Sequence, residues 1–189
     1  MIWKRIFGRP AQDQVPMALY SAAVRQARSS AFYLEGGVPD TLEGRFEMVA
    51  LHACLLLRRL REGGPEGKEA GQKLFDILFD DMDQTLREMG VGDLSVGKKI
   101  KSLASSFYGR MRAYDEGFKD EDGGTLAAAL LRNVFDGNEA AGDKAGALAS
   151  YMRRAEAALQ AQDVAQIAAG RIAFDVPFEL PPASEAHQK

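Results

Sequence analysis

Residues 74–114 read Leu74-Phe-Asp-Ile-Leu-Phe-Asp-Asp-Met-Asp-Gln-Thr-Leu-Arg-Glu-Met89, then Gly90-Val-Gly-Asp-Leu-Ser-Val-Gly97, then Lys98-Lys-Ile-Lys-Ser-Leu-Ala-Ser-Ser-Phe-Tyr-Gly-Arg-Met-Arg-Ala-Tyr114. In the first part Phe75, Leu78, Phe79, Met82, Leu86 and Met89 recur at steps of three and four, which places them on one apolar helix face. Val96, Ile100, Leu103, Phe107, Met111 and Tyr114 repeat the pattern in the last part. The glycines between them can take positive φ and stop the first helix. Asp93 or Ser95 is then placed to cap the second. The stretch predicts a helical hairpin, with at least one of Gly90 and Gly92 at positive φ.

The two arms differ in charge. Asp76, Asp80, Asp81, Asp83, Glu88 and Asp93 face a single base, Arg87, in the first arm. Lys98, Lys99, Lys101, Arg110 and Arg112 stand without an acid in the second. Each exposed ion pair between the arms contributes only about 0–1 kcal/mol. The charges therefore read either as solvated faces or as a basic face left open to a charged partner.

Outward from the hairpin, the remaining segments are also helical. Pro16 suits the first turn of a helix running to Arg28, with Leu19, Tyr20, Ala23, Val24 and Ala27 buried. Asp40-Thr-Leu-Glu43 resembles a capping box with an acidic N-cap. The helix it starts should reach about Arg61, burying Leu42, Phe46, Val49, Ala53, Leu56, Leu57 and Leu60. Further apolar residues at Met48, Leu51 and Leu55 place this helix centrally in a bundle. Helices are expected from about Gly124 to Phe135 and from Lys144 to Gln160, with a short turn between Asp163 and Gly170. Prolines from residue 177 onward exclude regular helix. The expected architecture is an all-α, single-domain bundle of about six helices around the central hairpin. Residues 1–14 form a flexible basic and aromatic start, 15–173 the helical domain, and 174–189 a Pro-rich disordered tail.

Composition narrows the function. Among 189 residues, 27% are charged and the net charge is −3, which gives no general attraction to nucleic acid. The one cysteine, Cys54, lies in an apolar run and has no internal disulfide partner, which suits a reducing compartment. The basic, aromatic start is not followed by the apolar region of a signal peptide, and no stretch is long and apolar enough to span a membrane. The expected location is cytoplasmic, with a peripheral contact to the inner membrane through Trp3 to Arg9 as an added possibility. His52 and His187 are the only histidines and no His/Cys cluster has metal-ligand spacing. Asp76, Asp80 and Asp83 share a helix face, but the Glu-x-x-His pairs of a di-metal bundle are absent. The loop Gly90 to Gly97 precedes two lysines without the strand or the Gly-Lys-Ser/Thr order of a phosphate loop. No cofactor, metal or enzymatic activity is expected.

Several stretches carry a family resemblance: Ala18-Leu-Tyr20, Asp40-Thr-Leu-Glu-Gly-Arg-Phe-Glu-Met48, Leu51-His52, Arg58-Arg-Leu60, Leu78-Phe-Asp-Asp-Met-Asp83, Leu86-Arg-Glu-Met-Gly-Val-Gly-Asp93, Lys98, Phe107-Tyr-Gly-Arg110 and Tyr114. Over about residues 15–175 the chain resembles the ubiquinol–cytochrome c chaperone family, most specifically from Asp80 to Tyr114. The resemblance implies an α-helical, non-enzymatic assembly factor of the cytochrome bc1 complex. It would bind cytochrome b or another bc1-complex subunit during biogenesis of respiratory complex III. The mitochondrial members act with a small partner near the ribosomal exit tunnel; the short start without a transit peptide points to a bacterial relative. The partner-binding candidates are Arg45, Arg87, Lys98, Lys99, Lys101, Phe107, Tyr108, Arg110 and Arg112. An apolar groove lined from Phe75, Phe79, Met82, Phe107, Tyr108 and Met111 would hold the client. Arg45 and Arg87 have an alternative fate, in internal ion pairs with acids such as Glu43, Asp83 or Glu88. The competing readings are a peripheral membrane adaptor without a client and a carboxylate-metal enzyme.

Overall fold

The computed structural model describes residues 14–122 and 124–177. Eight α-helices run α1 (Gln14–Ala27), α2 (Ser30–Leu34), α3 (Leu42–Leu60), α4 (Gly64–Glu88), α5 (Asp93–Lys119), α6 (Gly124–Val134), α7 (Gly142–Gln160) and α8 (Val164–Ala168), with a 3-10 turn at Glu139–Ala141. Six are long and two are single short pieces, and no strand occurs among the described residues. The all-α bundle is therefore the fold.

Helix α3 is the axis, because its apolar residues occupy more than one face. Met48, Leu51, Leu55, Leu56 and Leu60 are all fully or nearly fully buried. It packs against α1, α4, α5, α6, α7 and α8. Each such leucine or methionine contributes about 1.5–3 kcal/mol by leaving water. At its start the expected acidic cap is corrected. The N-cap is Thr41, whose Oγ1 accepts from the Gly44 N–H at 3.1 Å. Asp40 lies one residue too early and instead accepts from Arg45 Nε at 2.6 Å. Leu42, expected inside, is half exposed because the first turn projects past the body.

The central hairpin forms as expected, from α4 and α5. Helix α4 ends at Glu88, and the Gly90 N–H bonds Arg87 O at 2.9 Å while the Val91 N–H bonds Leu86 O at 3.0 Å. These two bonds are a Schellman closure, which needs a left-handed residue at its hinge. Gly90 supplies it with φ 83°. Neither expected residue caps α5: its N-cap is Gly92, with no side-chain cap bond, and Asp93 is already in the first turn. That aspartate is used elsewhere. Arg87 bonds Asp83 at 2.5 Å on its own helix and also Asp93, so one guanidinium ties the end of α4 to the start of α5.

Further along, α5 crosses α6 closely at Gly117, where a Cβ would lie 2.7 Å from Leu126 Cα. Tyr20 of α1 donates to Asp81 of α4 at 2.7 Å and fixes those helices together. Beyond Asp81 the hairpin leaves the body. From residue 82 to residue 106, Val96 alone is buried.

Candidate functional site

The inner face of α5 carries Val96, Ile100, Leu103, Phe107, Met111 and Tyr114, as its periodicity predicts. Phe107 is fully buried and meets Phe75 and Phe79, each with ring centroids 5.8 Å away. Phe75 and Phe79 lie 4.5 Å apart, and Phe75 stacks on Tyr108 at 5.4 Å. The aromatics thus fill the seam between α4 and α5 instead of lining an open groove. Phe107 is a packing residue of this seam in the free chain. Tyr108 is 58% exposed, one ring face on Phe75 and its edge in water.

Arg110 is also committed to the interior. Its Nε donates to Glu47 Oε2 at 2.6 Å and its Nη2 to Glu47 Oε1, a two-pronged bridge from α5 to α3 with both side chains largely buried. Burial pushes the Glu47 carboxyl above the usual range, partly offset by Arg110. Arg45 pairs with Asp40, and Arg87 is clamped by Asp83 and Asp93, so the internal-pair alternative holds for both, with different acids for Arg45 than Glu43.

Five sequence candidates remain open: Tyr108, and Lys98, Lys99, Lys101 and Arg112, which are exposed and have no ion pair among the described residues. Lys98, Lys101, Ser105, Tyr108 and Arg112 are spaced three and four residues apart, one continuous face about 20 Å long at 1.5 Å per residue. Two apolar residues extend it at the tip. Leu94, which the sequence reading left out, is 100% exposed, and Met89, read as part of the apolar face of the first arm, is 58% exposed at the end of α4. Leu94 was legible in principle: it lies one turn before Lys98, opposite the buried stripe. The face therefore combines the cations Lys98, Lys101 and Arg112 with Leu94, Tyr108 and the nearby Met89, while Lys99 lies about 100° round the helix from Lys98. Near Phe107 its inner side is held by the aromatic seam.

The polar groups inside the bundle serve structure. His52 is fully buried; its Nδ1–H donates to Met48 O at 2.7 Å and its Nε2 accepts from Tyr151 OH at 2.7 Å. Burial depresses its pKa to about 4, which keeps the ring neutral and gives this assignment of donors. Cys54 is buried and its thiol is pushed far up by desolvation, which removes the thiolate a nucleophile needs. Beside it, Arg58 bonds Asp115 at 2.7 Å and Glu156 at 3.4 Å, and Arg61 bonds Asp115 at 2.8 Å. Asp76 accepts from Gln72, and no group of three or more His, Cys, Asp or Glu side chains among the described residues is arranged to hold a metal ion. No helix of the described residues is long and apolar enough to cross a membrane. Trp3 to Arg9, the expected membrane contact, lies outside the described residues.

The fold is an α-helical bundle that exposes a basic face on one long helix. The model of the ubiquinol-cytochrome C chaperone family matches residues 34–174, and the chain belongs to that family. It is 31% identical over 120 residues to the human ubiquinol-cytochrome c reductase complex assembly factor 1, covering 64% of this chain and 40% of the human protein. Protein CBP3, mitochondrial, of Saccharomyces cerevisiae is 35% identical over 111 residues, 57% of this chain and 33% of the yeast one. The chain thus spans less than half of either relative's length. The crystal structure of the Cbp3 homolog from Brucella abortus superposes with a TM-score of 0.81 at 35% identity, covering 94% of this chain and 98% of that one.

Proposed function

We propose that this chain is a non-enzymatic assembly factor of the cytochrome bc1 complex. It docks cytochrome b, or another subunit of that complex, through the exposed face of α5. The family assignment supports the complex as its destination, since relatives carry the name of ubiquinol-cytochrome c reductase assembly factors. The observation that carries the choice of surface is the set of exposed cations Lys98, Lys99, Lys101 and Arg112 around Tyr108, on a helix whose other side turns Val96, Phe107 and Tyr114 inward. Such a face speeds encounter with an acidic or polar loop and weakens as salt rises. Tyr108 and Leu94 add apolar area at the centre and tip.

The test is affinity capture of the tagged full chain from its native cells in low salt and mild detergent. Cytochrome b or another bc1 subunit should co-purify, and the yield should fall as sodium chloride is raised to 0.5 M. Absence of every bc1 subunit, with the chain recovered folded, contradicts the reading. Recovery that is insensitive to salt retains the client and removes the basic face from its recognition.

A further inference from the structure

After α8 the chain turns at Gly170 and runs extended from Arg171 to Pro177 across α1, α3 and α7. This stretch is held by side chains along one edge of its backbone. The Gln162 amide bonds Ala173 twice: the Ala173 N–H donates to Gln162 Oε1 at 2.9 Å, and Gln162 Nε2 donates to Ala173 O at 2.7 Å. Two residues on, Asp175 O accepts from Gln26 Nε2 of α1 at 2.7 Å. Two further on, Pro177 O accepts from Arg154 Nη2 of α7 at 3.2 Å. Residues 173, 175 and 177 share an edge in an extended chain, so the three carbonyls meet a ladder built from glutamine and arginine side chains. Ile172 and Phe174 turn inward against the core, and the Phe174 ring stands edge-on to His52 at 5.2 Å.

The geometry points to a peptide-binding groove between α1 and α7, floored by His52, that residues 171–177 fill from the same chain. We infer that its other occupant is an extended segment of a client polypeptide with bulky apolar side chains two residues apart. Two observations favour exchange. Recognition runs mainly through backbone groups that every extended peptide carries, with one side-chain pair, Arg154 Nε to Asp175 Oδ2 at 3.3 Å, and the two inward side chains set the apolar preference. The bonds from Gln162 and Arg154 are solvent-exposed and that from Gln26 is half-buried, and the segment follows the last helix among the described residues, so it can lift away without unpacking α3. Such a segment would hold the groove closed until a client displaces it. The inference rests on the assembly-factor reading for the origin of the client, and not for the binding of peptide itself.

The probe is a fluorescent synthetic peptide of residues 171–178, Arg-Ile-Ala-Phe-Asp-Val-Pro-Phe, titrated into the full chain and followed by anisotropy. The full chain carrying Ile172→Ala and Phe174→Ala has a loosened strap and should bind the peptide at least tenfold more tightly than the unaltered chain. A peptide with the same two alanines should lose at least tenfold. Equal affinity for both chains, or for both peptides, overturns the groove. Should the double variant fail to fold, hydrogen exchange in the unaltered chain decides. The Ala173 amide should exchange by local opening, well before the amides of α3; exchange only on global unfolding overturns the proposal. A chain with Lys98, Lys99 and Lys101 changed to Glu should bind the peptide as the unaltered chain does. The groove and the basic face therefore stand or fall separately.

Discussion

At the scale of single residues, two buried polar groups make the stability depend on pH in opposite senses. His52 has a folded pKa of about 4, below the 6.5 of the free side chain, because burial penalises its charged form. The unfolded chain then binds the extra proton between those values. The stability this provides is complete above pH 6.5 and is lost as pH falls to about 4, by roughly 3 kcal/mol in all. Urea unfolding followed from pH 7.5 to 4.5 should show that slope, and His52→Gln should flatten it; an identical slope in the variant contradicts the assignment. Glu47 is raised by burial, so its contribution falls as pH rises through the ordinary Glu range, and Arg110 limits that loss. Arg110→Ala leaves a nearly buried carboxylate without its partner and should cost about 3 kcal/mol at pH 7. The deficit should shrink toward pH 4, where a protonated Glu47 needs no cation. A deficit below about 1 kcal/mol at pH 7 would mean that the bridge is solvated.

At the scale of elements, the hairpin turn offers a contrast between two neighbouring glycines. Gly90 has φ 83° and open space around the position of a Cβ, so a side chain there meets no clash and only backbone strain. Gly90→Val should cost about 1–2 kcal/mol in thermal or chemical unfolding. Gly92, at φ −64°, should tolerate alanine within about 0.5 kcal/mol. Equal effects at the two positions would contradict the Schellman closure. This turn, and the helices on either side, were legible because steps of three and four and a Gly-x-Gly break are local signals. The apolar stripe of α5 likewise included Phe107 and left out Lys98, Lys101, Tyr108 and Arg112, although the groove reading took Phe107 and Tyr108 together. What local pattern could not supply was long-range pairing. Arg110 and Glu47 are 63 residues apart, and only the packing of α5 on α3 shows that this cation is spent within the fold. The residues after Phe174 read as disordered because their composition forbids helix. Their anchors, Gln26 and Arg154, come from helices far away in sequence, and the described body continues to Pro177.

At the scale of the whole molecule, a net charge of −3 conceals a strongly uneven surface. Several arginines are tied into pairs: Arg45 with Asp40, Arg58 and Arg61 with Asp115, Arg87 with Asp83 and Asp93, Arg110 with Glu47. Lys98, Lys99 and Lys101 on the protruding part of α5, and Arg112 further along it, make no such pair among the described residues. Exposed helix charges contribute only tenths of a kcal/mol to folding, so their removal separates binding from stability. The most direct measurement compares the unaltered full chain with one carrying Lys98→Glu, Lys99→Glu and Lys101→Glu, in low-salt capture of bc1 subunits. The account predicts an unchanged helical spectrum, a midpoint of thermal unfolding within a few degrees, and a several-fold loss of captured cytochrome b. A folded triple variant that captures as much as the unaltered chain would contradict the basic face as the docking surface.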